Sequence, residues 1–213
     1  MSGPVPQAVA EILAALSYGE RLAERRAREN VRLAPDDLRR KRQESVADRE
    51  RENSEVLSAR LDELGGSELE ERFAPFFDSF FERTEPGDWL EAQAWHYIGD
   101  ALVRDFADIL QPALDTVTSA VVREALGERD EQEIFALDEV TKLSSDDPRA
   151  NERVAAYARR VIGEALTQTR RALDATQALE HLLGTGEGEK RALLDLLQRH
   201  RERMDRLGIE EVD

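Results

Sequence analysis

Glu20, Glu50, Asp100 and Glu164 stand where the helical apolar rhythm of this sequence calls for a core residue. An unpaired buried carboxylate is costly or changes its pKa, so carboxylates facing one another from several helices are expected to share a metal, protons or trapped cations. Dinuclear iron sites in four-helix bundles use a Glu on each of two helices and Glu-x-x-His on each of the other two. Here the second helix offers Glu50-x-x-Asn53, and none of the three histidines, His96, His181 and His200, follows a glutamate by three residues. The pattern is that of a dinuclear scaffold with altered ligands.

The elements that would position these groups follow from breakers and caps. The spacing predicts a first helix over 6–33, with Val9, Ile12, Leu13, Leu16, Glu20 and Ala23 recurring at three- and four-residue steps. Ala34-Pro35-Asp36-Asp37 ends it and opens a second helix to residue 64, because proline and acidic residues both suit a first helical turn. The stripe Val46, Glu50, Asn53, Leu57, Leu61 and Leu64 turns Glu50 and Asn53 inward together. Gly65-Gly66-Ser67 stops this helix. A shorter one over 68–83 carries Phe73, Phe76, Phe77, Phe80 and Phe81 and is expected to close one end of a bundle. A substrate-facing aromatic wall is the functional alternative, but phenylalanines at helical spacing are mostly core. Asp88 suits the N-cap of a third long helix to residue 110, with Asp100 at the edge of the core. A fourth helix is expected over 112–143, a fifth over 149–183 with Glu164 in its inward row, and a last over 189–207.

Composition supports an all-α protein. Ala, Leu, Glu and Arg dominate, while the 12 glycines and 7 prolines fall in clusters. The 213 residues suit one domain, with its core over 6–207 and an acidic tail over 208–213. No long uninterrupted apolar run occurs and residues 1–7 lack signal-peptide character, so a cytoplasmic location without membrane contact is expected. The absence of cysteine excludes disulfides, thiolate metal sites and cysteine nucleophiles. A net charge of −16 opposes broad attraction to nucleic acid, so any RNA contact must be local. No Gly-x-Ser-x-Gly elbow supports serine catalysis, and Gly184-x-Gly186-x-Gly188 lacks the strand and Lys-Ser/Thr of a phosphate loop and reads as a linker. No catalytic residue and no organic cofactor site is assigned.

Tyr18-Gly19-Glu20, Glu50-x-x-Asn53, Asp88-Trp89-Leu90-Glu91, Tyr97-Ile98-Gly99-Asp100 and Ile162-Gly163-Glu164-Ala165-Leu166-Thr167-Gln168 together resemble segments of bacterial ferritin-like proteins, the MiaE-like group in particular, over residues 8–207. The resemblance implies a ferritin-like antiparallel helical bundle with an extra short helix and a C-terminal helix. It also implies a non-haem di-iron monooxygenase that hydroxylates the isopentenyl side chain of a modified tRNA adenosine with dioxygen and an external electron donor. Carried over by residue, Glu20 is the terminal carboxylate of the first helix and Glu50 the bridging carboxylate of the second. Asn53 takes the histidine position, where an amide carbonyl is a far weaker iron ligand than imidazole. The second Glu-x-x-His falls at Glu128-x-x-Glu131, or places Gln132 at the histidine position, and neither supplies imidazole. Asp100 either replaces a glutamate or accepts from His96 one turn earlier, and Glu164 supports either arrangement.

Two readings stay open. In one, Glu20, Glu50, Glu128, Glu131 and Glu164 form an all-oxygen dinuclear site, suited to manganese or another hard ion better than to oxygen-activating iron. In the other, no metal is bound and the acids pair with internal arginines such as Arg49, Arg51 and Arg129, which is near neutral for stability because desolvation offsets attraction. Arg39-Arg40-Lys41-Arg42, with Arg25, Arg26 and Arg32 nearby, offers a local tRNA-binding patch, against which stands a solvated helix face balanced by Asp36, Asp37, Glu44 and Asp48. An amphipathic bundle is compatible with a homodimer, although nothing in the sequence requires one.

Overall fold

The computed structural model describes residues 4–127, 130–176, 181–182 and 186–209. Helices α1 (Pro4–Asn30) and α2 (Asp37–Glu63) are joined by a 3-10 turn at Val31–Leu33 and pack along their length. Next come α3 (Glu70–Arg83), α4 (Trp89–Trp95), a π-helical turn at His96–Asp100 and α5 (Ala101–Leu110). The chain continues through α6 (Thr116–Leu126), α7 (Asp130–Asp146), α8 (Pro148–Ala175) and α9 (Glu187–Arg206). No strand occurs among the described residues, and none of their helices is long and apolar enough to cross a membrane.

Local chemistry places the helix ends. Asp36 accepts from the Arg39 N–H at 2.9 Å to start α2, Asp88 accepts from Glu91 N–H at 3.0 Å to start α4, and Asp115 accepts from Val117 and Thr118 N–H groups to start α6. Gly65 terminates α2 with a φ of 69°, a left-handed conformation that other residues adopt at a cost.

The expected fourth helix over 112–143 is two helices. Pro112 lies in a 3-10 turn, the Asp115 cap delays the helical start to Thr116, and Gly127 ends α6, with a Cβ there falling only 2.4 Å from the Arg123 carbonyl oxygen. The break resets the inward face. In α7 the buried row is Ala136, Glu139 and Val140, while Gln132 and Phe135 are only partly buried. The fifth helix ends at Ala175 rather than 183. Glu128, Arg129, Gly184 of the expected linker and residues 210–213 of the expected tail lie outside the described residues.

Two apolar clusters build the core. One joins Leu13 and Leu16 of α1 to Leu57 and Leu61 of α2, Leu110 of α5 and Val122 of α6. The other joins Ala23 to Ala94, Ile98, Val140, Val154, Val161 and Met204, drawing on α4, α7, α8 and α9. Along α1 the first cluster stops at Leu16 and the second begins at Ala23, leaving Glu20 in a polar layer between them. The α3 phenylalanines divide in role. Phe73 and Phe81 are buried, and Phe73 together with the partly buried Phe76, Phe77 and Phe80 lines a cavity.

Candidate functional site

Glu20 and Glu50 are fully buried, as their places on the apolar stripes of α1 and α2 require. Asn53, one turn after Glu50, donates its amide N–H to Glu20 Oε2 at 3.1 Å. The residue at the expected histidine position therefore satisfies one of the carboxylates instead of standing beside it as a second donor.

A second buried network joins α2 to α4 and the π-helical turn. Gln93 Nε2 donates to Gln43 Oε1 at 3.2 Å, which fixes the orientation of the Gln43 amide. Gln43 Nε2 then donates to His96 Nε2 at 2.7 Å, and His96 Nδ1 donates to Asp100 Oδ2 at 2.9 Å. All four side chains are less than one-tenth exposed. With the Gln43 amide oriented in this way, its N–H meets His96 Nε2, and the Nδ1 side of the ring faces Asp100. Of the two roles open to Asp100, this geometry places it as the acceptor for His96.

The remaining predicted residues lie elsewhere. Glu164 is partly buried, accepts from Gln168 Nε2 at 3.3 Å and stands 3.8 Å from Arg83. Glu131 sits in the first turn of α7 with its side chain 88% exposed, 3.9 Å from Arg42, because the break at Gly127 turns it outward. Arg51 likewise faces outward and pairs with Glu55 at 2.7 Å. Among the described residues, no group of three or more His, Asp or Glu side chains converges as a metal ligand set. A dinuclear iron cluster needs several carboxylates and imidazoles with free lone pairs, and the described donors do not fit it.

Several buried charges escaped the sequence reading. Glu139 of α7 accepts from both nitrogens of the Arg39 fork and from Trp89 Nε1 at 2.8 Å, tying α2, α4 and α7 together. Burial raises its pKa, but the hydrogen bonds from Arg39 and Trp89 and the Arg39 charge outweigh burial and hold it below the usual carboxylate value. Asp105 receives both Arg203 nitrogens at 2.6 and 2.8 Å, joining α5 to α9. Arg26, fully buried, donates to the Phe81 carbonyl and stacks 3.7 Å over the Phe81 ring, and desolvation lowers its pKa. Gln43, Gln93 and Glu139 were legible in principle, since 43, 46 and 50, 93, 96 and 100, and 136, 139 and 143 keep helical spacing.

The basic run on α2 is largely committed to carboxylates. Arg39 engages Glu139 and Asp36, Arg40 bonds Asp37 at 2.5 Å, and Arg42 bonds the Glu131 carbonyl at 3.2 Å.

This arrangement of paired long helices around a polar layer is that of ferritin-like bundles. Residues 5–186 match the family described as "Ferritin-like domain, actinomycetes", and the chain belongs to that family. Its structure is similar to that of "Protein 19 with aldehyde deformylating oxidase activity from Synechococcus", with a TM-score of 0.73 at 18% identity, covering 98% of this chain and 93% of that one. At that identity the likeness concerns the fold. No curated protein matches the sequence significantly.

Proposed function

We propose that this chain is a ferritin-like protein of MiaE-related lineage in which the dinuclear site has been rebuilt as a hydrogen-bonded polar layer, so that it acts by binding rather than by activating oxygen. The observation that carries the reading is the pairing of Asn53 with Glu20, where the resemblance expects imidazole, together with the engagement of both His96 ring nitrogens. Asn53, Glu20 Oε2 and both His96 ring nitrogens are committed to neighbours, and freeing them leaves buried polar groups unsatisfied.

A second reading is a metal-dependent hydroxylase or oxidase built on carboxylates. It is favoured by the complete burial of both Glu20 and Glu50 on adjacent helices, and by the activity named for the Synechococcus protein. Elemental analysis separates the two readings. Tag-free protein from cells supplied with iron and manganese is compared with Glu50→Ala. The first reading expects substoichiometric metal, equal in both proteins. About two ions per chain, lost in Glu50→Ala, would establish the second and call for oxygen-consumption assays with modified tRNA.

A further inference from the structure

An apolar pocket of about 180 Å³, partly open to solvent, lies between α1, α3, α5, α8 and α9. Phe76, Phe77 and Phe80 form its α3 wall, and Gly99 of the π-helical turn forms part of the opposite one. Phe77 also lies against Gly19 of α1, where a Cβ would fall 3.1 Å from its ring. An engineered cavity of about 150 Å³ lined by Leu, Ile and Phe stays dry and takes up benzene, so a void of this size and lining is of ligand dimensions. Voids of this kind destabilise a fold, and interiors normally fill them. Here Ala15, Ala165 and Ala172 hold the space open from two helices, where a single larger aliphatic side chain would close it.

Polar side chains enter the wall at Gln168 and Thr169 and again at Thr176, whose hydroxyl is taken by Glu11. Gln168 and Thr169 of α8 line the cavity, and Gln168 is 6% exposed. Its amide donates to Glu164 and accepts from Arg171 at 2.8 Å, which leaves one N–H for a ligand. The Glu164 carboxylate beside Gln168 and the apolar wall disfavour an anionic end group, because the nearby Arg171 is held on the Gln168 carbonyl, is exposed and does not line the cavity.

We propose that this cavity is a binding site for a small neutral aliphatic molecule carrying one hydrogen-bonding end group, of the chemical class of a primary alcohol, with its chain against Phe76, Phe77 and Phe80 and its end group at Gln168. None of the residues lining the site is a candidate metal ligand, and the one link to the metal reading is Glu164, which accepts from Gln168. Full-length protein is titrated with 1-hexanol and with hexanoate by amide NMR and calorimetry. Saturable shifts centred on Gly99, Ala165 and Gln168 are expected with 1-hexanol, and binding of hexanoate about tenfold weaker or worse. Ala165→Phe fills the void and should weaken 1-hexanol by at least about tenfold with helicity retained. A variant that does not fold is uninformative about binding, so Ala172→Leu, a smaller insertion, is measured beside it and should show the same direction. Absence of saturable shifts in the wild type, unchanged affinity in a folded variant, or hexanoate binding as tightly as 1-hexanol would each overturn the proposal.

Discussion

Gln93 decides how Gln43 meets His96. Because the Gln43 carbonyl oxygen is already taken by Gln93, its amide nitrogen faces Nε2 of the imidazole, and the Nδ1 side of the ring faces Asp100. The same logic governs Asn53, whose amide N–H suits a carboxylate and whose carbonyl suits metal poorly. Asn53→His restores the Glu-x-x-His spacing with Glu50 and puts imidazole in place of the amide. Cobalt(II) titration of this variant should show affinity at least roughly tenfold above wild type. Equal affinity would mean that Glu20 and Glu50 are not disposed to share an ion.

At the scale of elements, the third long helix is not uniform. Its five-residue π turn widens the helix where His96 and Asp100 must reach into the layer, and such turns are frequent at functional sites. Gly99 belongs there, since a Cβ would come 3.3 Å from the Trp95 ring, itself fixed by donation to Thr84 at 3.1 Å. The α2, α4 and α7 helices are locked by Glu139, and this lock is pH-sensitive. Its folded pKa is depressed, so its contribution is complete above the unfolded value of about 4.3 and is lost as pH falls through the folded pKa. Glu139→Gln should cost about 2 kcal/mol at neutral pH, less than the roughly 3–5 kcal/mol of a fully buried pair because Arg39 is 22% exposed. Urea melts from neutral pH to below pH 4 test this, with the gap between wild type and variant closing in acid.

For the whole molecule, attachment of the last helix depends on a buried ion pair. Asp105 is 4% and Arg203 7% exposed, with Arg199 a further 3.3 Å neighbour of the carboxylate. Removing one partner leaves the other charge buried, so Asp105→Ala should destabilise by about 3–5 kcal/mol, whereas Asp105→Leu with Arg203→Met should recover most of that loss. Equilibrium unfolding of the single and double variants measures both. A small effect of Asp105→Ala would show that α9 docks through Leu196 and Met204 instead. Since Leu196 also lines the cavity, α9 docking and the cavity are coupled.

Periodicity and local signals determined the helical class, the inward face of α1 and α2 and the cap at Asp88, because spacing and short-range hydrogen bonds are properties of neighbours in sequence, whereas Asp36, read as part of a first helical turn, is the cap of α2. Periodicity also placed Glu20, Glu50 and Asn53 on interior faces correctly. Packing between distant segments decided the rest. The face of α7 was reset by the break at Gly127, which carried Glu131 outward and Glu139 inward. The partner of Asn53 lies 33 residues away and that of Gln43 lies 53 away, so no local pattern could say whether these polar groups would gather around an ion or satisfy one another. The cavity is likewise a tertiary property, since small side chains leave a void only where five helices meet around them.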